Sequence, residues 1–205
     1  MGPKERRERE REEIRGRILE AARELFASDG YEAVTMRRIA DRIEYSPTAI
    51  YFHFKDKETL LKELCSIDFH SLARQFGPIG KIGDPIERLR RAGHAYIRFG
   101  IDHPNHYRLM FMTPHPPIDD PDVDKGNPEE DAYAFVRGIV ADAVEQKLLR
   151  PELKDVDLVT QTVWAAVHGV VSLDIAKCND PWVDWRAMKK RAEAMVDAIV
   201  AGIVG

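Results

Sequence analysis

This sequence predicts an all-α protein in two parts: a small N-terminal three-helix head, arranged as a helix-turn-helix, and a larger helical body. Three observations carry that expectation. Apolar residues recur three or four apart along nearly every segment, and no run of alternating apolar and polar residues marks a strand. Ser46-Pro47 and Asp84-Pro85 mark helix starts, because proline's missing N–H is no loss at the first helical position. Near Gly77 the turn cluster "GPIGKIGDP" marks a shift in composition to a larger, all-helical body.

The head's elements follow from local chemistry. Ile14, Ile18, Ala22, Leu25 and Phe26 form one apolar stripe on a first helix, and Gly30 stands where a left-handed C-terminal cap belongs. Thr35 caps a short second helix over about Met36 to Arg42, with Val34 and Ile39 at the spacing of a hydrophobic staple. Ser46 caps a third helix that ends near Phe54. Asp56 caps a fourth, with Glu58 in its first turn. Ile39, Ala40, Ile43, Ile50 and Phe54 supply a small interior, and Leu60, Leu61 and Leu64 carry the fourth helix out of it.

In the body, one helix is expected from Asp84-Pro85 to about Asp102, where His103-Pro104 breaks it and starts the short "NHYRLMFM" segment. "TPHPPIDDPDVDKGNPEE" reads as an exposed loop. Further helices are expected at about Glu129 to Lys147, Val156 to Ala176 and Val183 to Ile203. The domain division is then a charged arm over 1–13, a helix-turn-helix over 14–60 and a body over 61–205.

Composition narrows the function classes. A chain of 205 residues, 44% hydrophobic, has the material for this head and body. A net charge of −4 excludes a uniformly basic coat for nucleic acid but allows a local basic patch. Cys65 and Cys178 form no disulfide framework, which fits a reducing cytoplasm. "MGPKERREREREEIRGRILE" mixes both signs of charge without a signal peptide's apolar stretch, and no apolar run is expected to approach membrane-spanning length. A soluble cytoplasmic protein is expected.

The stretch "FASDGYEAVTMRRIADRIEYSPTAIYFHFKDKETLL" resembles the DNA-binding head of the tetracycline-repressor (TetR) family. The shared features are phenylalanine in the first helix, Gly-Tyr after it, threonine capping the second, and Tyr-x-x-Phe-x-x-Lys at the close. Glu44 departs from the pattern, standing where the family most often has glycine. Either Glu44 adopts a left-handed conformation, or the second helix runs further before turning.

The residues themselves suit DNA. The N-terminus of the third helix presents Pro47, Thr48 and Ala49 to base edges, with a hydroxyl and methyl groups to offer. Arg37 is placed to reach a guanine or a phosphate. Thr35, Ser46, Tyr51, His53 and Lys57 carry groups suited to phosphate oxygens, and the fourth helix adds free N–H groups at its start. Phe54 is expected in the core. In the arm, Arg6, Arg7, Arg9 and Arg11 can reach a groove or phosphates, but the alternating signs favour a solvated helical extension.

"TVWAAVHGVVSL", with Trp164, His168 and Gly169, and "HPNHYRLMF" resemble a TetR subgroup marked by a Trp/His-Gly signature. That resemblance implies a body that binds a small molecule and forms a dimer. Tyr96, Phe99, Tyr107, Met110, Phe111, Trp164 and His168 can line an apolar cavity with a few polar handles, or simply fill a bundle core. Met188, Ala192, Met195, Ile199 and Ile203, widened by Val196 and Val200, form a stripe on the last helix; Val163, Val167, Val170 and Val171 do so on the one before. Two such helices from each copy suit a four-helix homodimer interface.

No cofactor or metal is expected. His103-x-x-His106 lacks completing ligands, and Asp120 to Gly126 lacks the sharp-turn glycine of a calcium loop. The expected function is a ligand-responsive repressor that binds a palindromic operator as a homodimer. The alternatives are a ligand-independent architectural DNA-binding dimer and, last, a helical enzyme using His106, Tyr107 or His168.

Overall fold

The computed structural model describes residues 2–116 and 126–205, which form α-helices and one short 3-10 segment. The chain divides into two compact units, one of Met1–Asp68 with Asn105–Pro121, the other of Phe69–Pro104 with Asp122–Gly205.

The first unit holds α1 (Pro3–Asp29), α2 (Met36–Arg42), α3 (Pro47–His53), the first half of α4 (Lys57–Phe76) and most of α6 (Pro104–Phe111). The stripe on α1 buries Ile18, Ala22 and Phe26, which meet Ile39, Ile50 and Phe54 in one core. Gly30 ends α1 with φ +83°, a conformation that favours glycine. Val34 and Ile39 are both fully buried, which sets the angle at which the chain enters α2.

α2 ends at Arg42, and Glu44 takes φ +61°. The first of the two turn geometries is therefore the real one. Tyr45 N–H donates to the Ala40 carbonyl at 3.0 Å, and the Arg17 side chain donates to the Ile43 carbonyl at 3.1 Å. These bonds hold the left-handed residue in place against a strain of about 1–2 kcal/mol.

Leu109 of α6 belongs to the same core, and Tyr107 is fully buried. Beside them lies a charged node. Asp68, with no exposed surface, accepts two hydrogen bonds from Arg23 at 3.2 and 2.9 Å, and His106 Nδ1 lies 2.9 Å from its Oδ1. Glu20 also pairs with Arg23. α1, α4 and α6 are thus joined by an ion pair that neither member can leave cheaply.

The second unit holds the 3-10 segment Gly77–Lys81, α5 (Pro85–Asp102), α7 (Ala132–Glu145), α8 (Val156–Lys177) and α9 (Met188–Ile203). Val163, Val167 and Val171 of α8 and Val196 and Val200 of α9 are buried in this bundle. α5 and α9 approach closely at Gly93, where a Cβ would stand 3.2 Å from a Val196 methyl. The end of α9 is tied to the residues after α7 by an isolated antiparallel bridge between Leu149 and Val204.

Some elements differ from expectation. α7 starts at Ala132, because the Asp131 carboxylate accepts from the N–H groups of Tyr133 and Ala134, and it stops before Lys147, whose φ is +56°. α9 starts at Met188, not Val183: the Trp185 N–H closes a tight turn on the Val183 carbonyl, and Arg191 Nε donates to the Arg186 carbonyl. α8 does reach the length and mean hydropathy of a membrane-crossing segment, contrary to the sequence reading. Its valines instead face α5, α7 and α9, as in a core helix. Asp120 to Lys125, the start of the calcium-loop resemblance, lie outside the described residues.

Candidate nucleic-acid interface

The two hydroxyls that start α2 and α3 are engaged in capping. Thr35 Oγ1 accepts from Arg38 N–H at 3.2 Å, and Ser46 Oγ accepts from Ala49 N–H at 3.2 Å. Each cap satisfies a donor the helix leaves open and fixes the direction in which the helix projects. Pro47 follows at the first helical position of α3.

Capping and core packing together leave one side of α3 facing outward. Ile50 points inward with no exposed surface, while Thr48 is exposed and Tyr51 and Phe52 are 55% and 74% exposed. Ala49 and Pro47 are half-buried. On α2, Arg38 is tied to Asp29 and to the Ala33 carbonyl, and Arg42 pairs with Glu24 at 2.9 Å. Arg37 is exposed on the same helix. These groups, a hydroxyl, methyl groups and a phenol on α3 and a guanidinium on α2, are of the kinds that suit base edges and phosphates of DNA.

Lys57 and the start of α4 are arranged differently from the sequence reading. Lys57 Nζ donates to the Tyr31 carbonyl at 2.9 Å and lies 4.0 Å from that ring's centroid. The Asp56 carboxylate accepts from Thr59 N–H at 2.7 Å, so the first turn of α4 already has an anion at its N-terminus. That hydrogen bonding to Thr59 holds Asp56 below the usual carboxylate range.

His53 is half-buried, and its Nδ1 is enclosed without a hydrogen-bond partner among the described residues. Its pKa is pushed down, first by burial and then by the positive charges of Arg11 and Arg15, with Glu12 opposing. These α1 arginines are functional candidates that the motif did not include. Arg11 lies 5.6 Å from the Phe52 centroid, and Arg15 lies 5.0 Å from that of Phe54 and pairs with Glu63.

Residues 18–64 match the family model described as "Bacterial regulatory proteins, tetR family", and residues 89–199, more than half of the chain, match "Tetracyclin repressor-like, C-terminal domain". The chain belongs to the TetR family. Among curated TetR-type relatives, it is 37% identical over 105 residues to the HTH-type transcriptional activator FasR of Mycolicibacterium smegmatis, covering 49% of this chain and 47% of that one. It is 44% identical over 59 residues to the HTH-type transcriptional repressor AcnR of Corynebacterium diphtheriae, covering 29% and 31%. The matches thus span half or less of these relatives' lengths. A solved structure of the TetR family transcriptional regulator PfmR from Thermus thermophilus superimposes with a TM-score of 0.71 at 26% identity, covering 91% of this chain and 95% of that one.

In the TetR body, the structure brings three of the sequence-selected residues together. Trp164 Nε1 donates to the Tyr96 hydroxyl at 2.9 Å, and that hydroxyl lies 3.5 Å from His168 Nδ1. Burial pushes the His168 pKa down. Phe99 packs 5.2 Å from the His103 ring in the same unit. Tyr107 and Phe111 pair on α6 with centroids 4.9 Å apart, and Met110 beside them is buried; all three belong to the first unit. A separate open groove of about 810 Å³ runs along α5 and α9 and holds none of these residues.

Proposed function

We propose that this TetR-family protein is a DNA-binding transcriptional regulator of the bacterial cytoplasm, a repressor that binds a palindromic operator as a homodimer. The observation that carries it is the outward face of α3, where Thr48, Ala49 and Tyr51 project from a helix fixed by the Ser46 cap and the Glu44 turn. Thr48, Ala49 and Arg37 read bases, with Pro47 beside them at the base edges; Thr35, Ser46, Tyr51, His53 and Lys57 hold phosphates. The relatives include an activator and a repressor, so the sign of regulation depends on where the operator lies.

Dimerisation runs through α8 and α9. The valine stripes are consumed inside the bundle, so the contact uses the residues left outside: Leu158 and Leu173, 58% and 50% exposed, and the exposed alanines Ala194, Ala198 and Ala201. Small residues there let helices of two copies approach closely, and the two-fold places two α3 helices on successive major grooves.

The body belongs to the subgroup with the Trp/His-Gly signature and takes a small-molecule effector. The Tyr96–Trp164–His168 set supplies the polar handles, and Phe99 of the same unit an apolar wall. An effector that binds a head-spread state better lowers operator affinity by that difference in affinity.

Selection from a randomised duplex library tests the reading. Enrichment of a palindrome, bound at two chains per site, supports it. Binding without enrichment indicates an architectural protein, and retention of no duplex at any salt concentration rejects DNA binding altogether.

A further inference from the structure

Before Ile14, the chain contributes nothing to the head's core, yet α1 starts at Pro3. Pro3 to Glu13 are exposed without exception. The helix is nevertheless built to persist, with Glu5 Oε2 accepting from Gly2 N–H at 2.8 Å and pairs between Lys4 and Glu8 and between Arg6 and Glu10. At about 1.5 Å per residue, it carries a rigid rod roughly 16 Å beyond the head.

The rod has no net charge, since Lys4, Arg6, Arg7, Arg9 and Arg11 balance Glu5, Glu8, Glu10, Glu12 and Glu13. Its charges are unevenly distributed. Arg7, Arg11 and Arg15 recur at every fourth position, on the face that continues into the buried Ile18 and Ala22. Like charges four apart weaken a helix, so a stripe of three has a local cost that an external partner would offset. Arg15 is answered by Glu63. Arg11 reaches only the rim of α3, over the exposed Phe52 ring, where it and Arg15 both act on His53. Arg7 lies one turn further out and is exposed.

We propose that Arg7 and Arg11 clamp DNA phosphates flanking the bases faced by α3, extending the interface onto the first helix. The proposal rests on the operator-binding reading above. DNA is the partner the surface fits because the stripe continues from the rim formed by Tyr51, Phe52 and His53, and its charge is opposite to that of a phosphate backbone. Apart from Tyr51 and Phe52 at that rim, it has no apolar residue to insert into a lipid surface or a protein groove.

The test is the salt dependence of binding to the library-enriched duplex, by fluorescence anisotropy, for the wild type, Arg7→Gln, Arg11→Gln, the double variant and Arg11→Lys. Each lost phosphate contact lowers the slope of log K against log salt by about 0.9, and a symmetric dimer loses two contacts per substitution. The expected result is a slope lowered by about 1.8 in each Gln variant and about twice that in the double. Base preferences and the unfolding midpoint stay unchanged, and Arg11→Lys recovers most of the Arg11 contribution. A duplex trimmed at its flanks weakens the wild type but not the double variant. An unchanged slope in the double variant, with the wild type still selecting its palindrome, overturns the clamp and leaves the operator reading standing. A wild type that binds no duplex overturns both.

Discussion

Glu44 and His53 show how much a single residue decides here. Glu44 holds a φ of +61° that glycine adopts without strain. Glu44→Gly should raise unfolding free energy by roughly 0.5–1 kcal/mol, the relieved strain less the extra entropy of an unfolded glycine. Urea denaturation measures this, and a loss of stability would mean that the Glu44 side chain has a role of its own. His53 is kept neutral by burial and by Arg11 and Arg15. A phosphate beside it would favour the charged ring, so DNA binding should take up a proton and tighten as pH falls through the region of the ordinary imidazole value, about 6.5. His53→Gln should flatten that dependence. In the free protein the sign is opposite for stability. With a lowered folded pKa, the stabilising contribution is complete above about 6.5 and is lost as pH falls through the folded value. The sequence identifies His53 as a chemical group but not its surroundings, because Arg11 and Arg15 lie outside the motif. Their four-residue spacing with Arg7 is the available signal.

Among the helices, local chemistry is a reliable guide where caps are strong. Thr35, Ser46, Asp56 and Asp84 each accept the backbone N–H that sequence reasoning assigns to them in kind, and α2 and α5 begin where expected. It is a poor guide where tertiary contacts act. The apolar pattern starts α9 too early because Val183 and Trp185 extend it past a turn at Trp185 that interrupts the helix. The Arg23–Asp68–His106 node is not visible in local patterns, since its members come from three distant helices. A signal is present: Asp68 falls on the stripe of Leu61, Leu64, Cys65 and Leu72, where a charged residue at a core position calls for a partner. Burial there, with the negative charge of Asp68, also pushes the Cys65 thiol up to about 12. Asp68→Ala should cost about 3–5 kcal/mol by leaving Arg23 buried without its carboxylate, whereas Arg23→Met with Asp68→Leu should recover most of the loss. Thermal and urea unfolding of the three proteins decide it. If the single variant is as stable as the wild type, the node is solvated and does not join α1, α4 and α6 as described.

At the scale of the whole molecule, the proposed function gives one chain two tasks: a head that meets DNA and a body that would pair with a second copy. The fold and family are legible because the head motif is long and its order of residue types is specific. The proposed pairing surface of the body is less so, since a valine stripe reads the same whether it meets a second copy or its own bundle. Burial assigns those valines to the bundle. Leu173→Glu, on the exposed side of α8, should therefore shift sedimentation towards the monomer and weaken operator binding, leaving the helical circular dichroism intact. A dimer that survives this change, and the same change at Leu158, would move the interface elsewhere. That α3 reads bases is tested by measuring affinity for the enriched site and all its single-base variants, with wild type, Thr48→Ala and Tyr51→Ala. The expected outcome is that Thr48→Ala relaxes preference at one position in each half-site, by about 1–3 kcal/mol, while Tyr51→Ala weakens every sequence alike. Loss of affinity spread evenly over all sequences in Thr48→Ala, or no loss in either variant, would contradict the assignment of α3 as the reading helix.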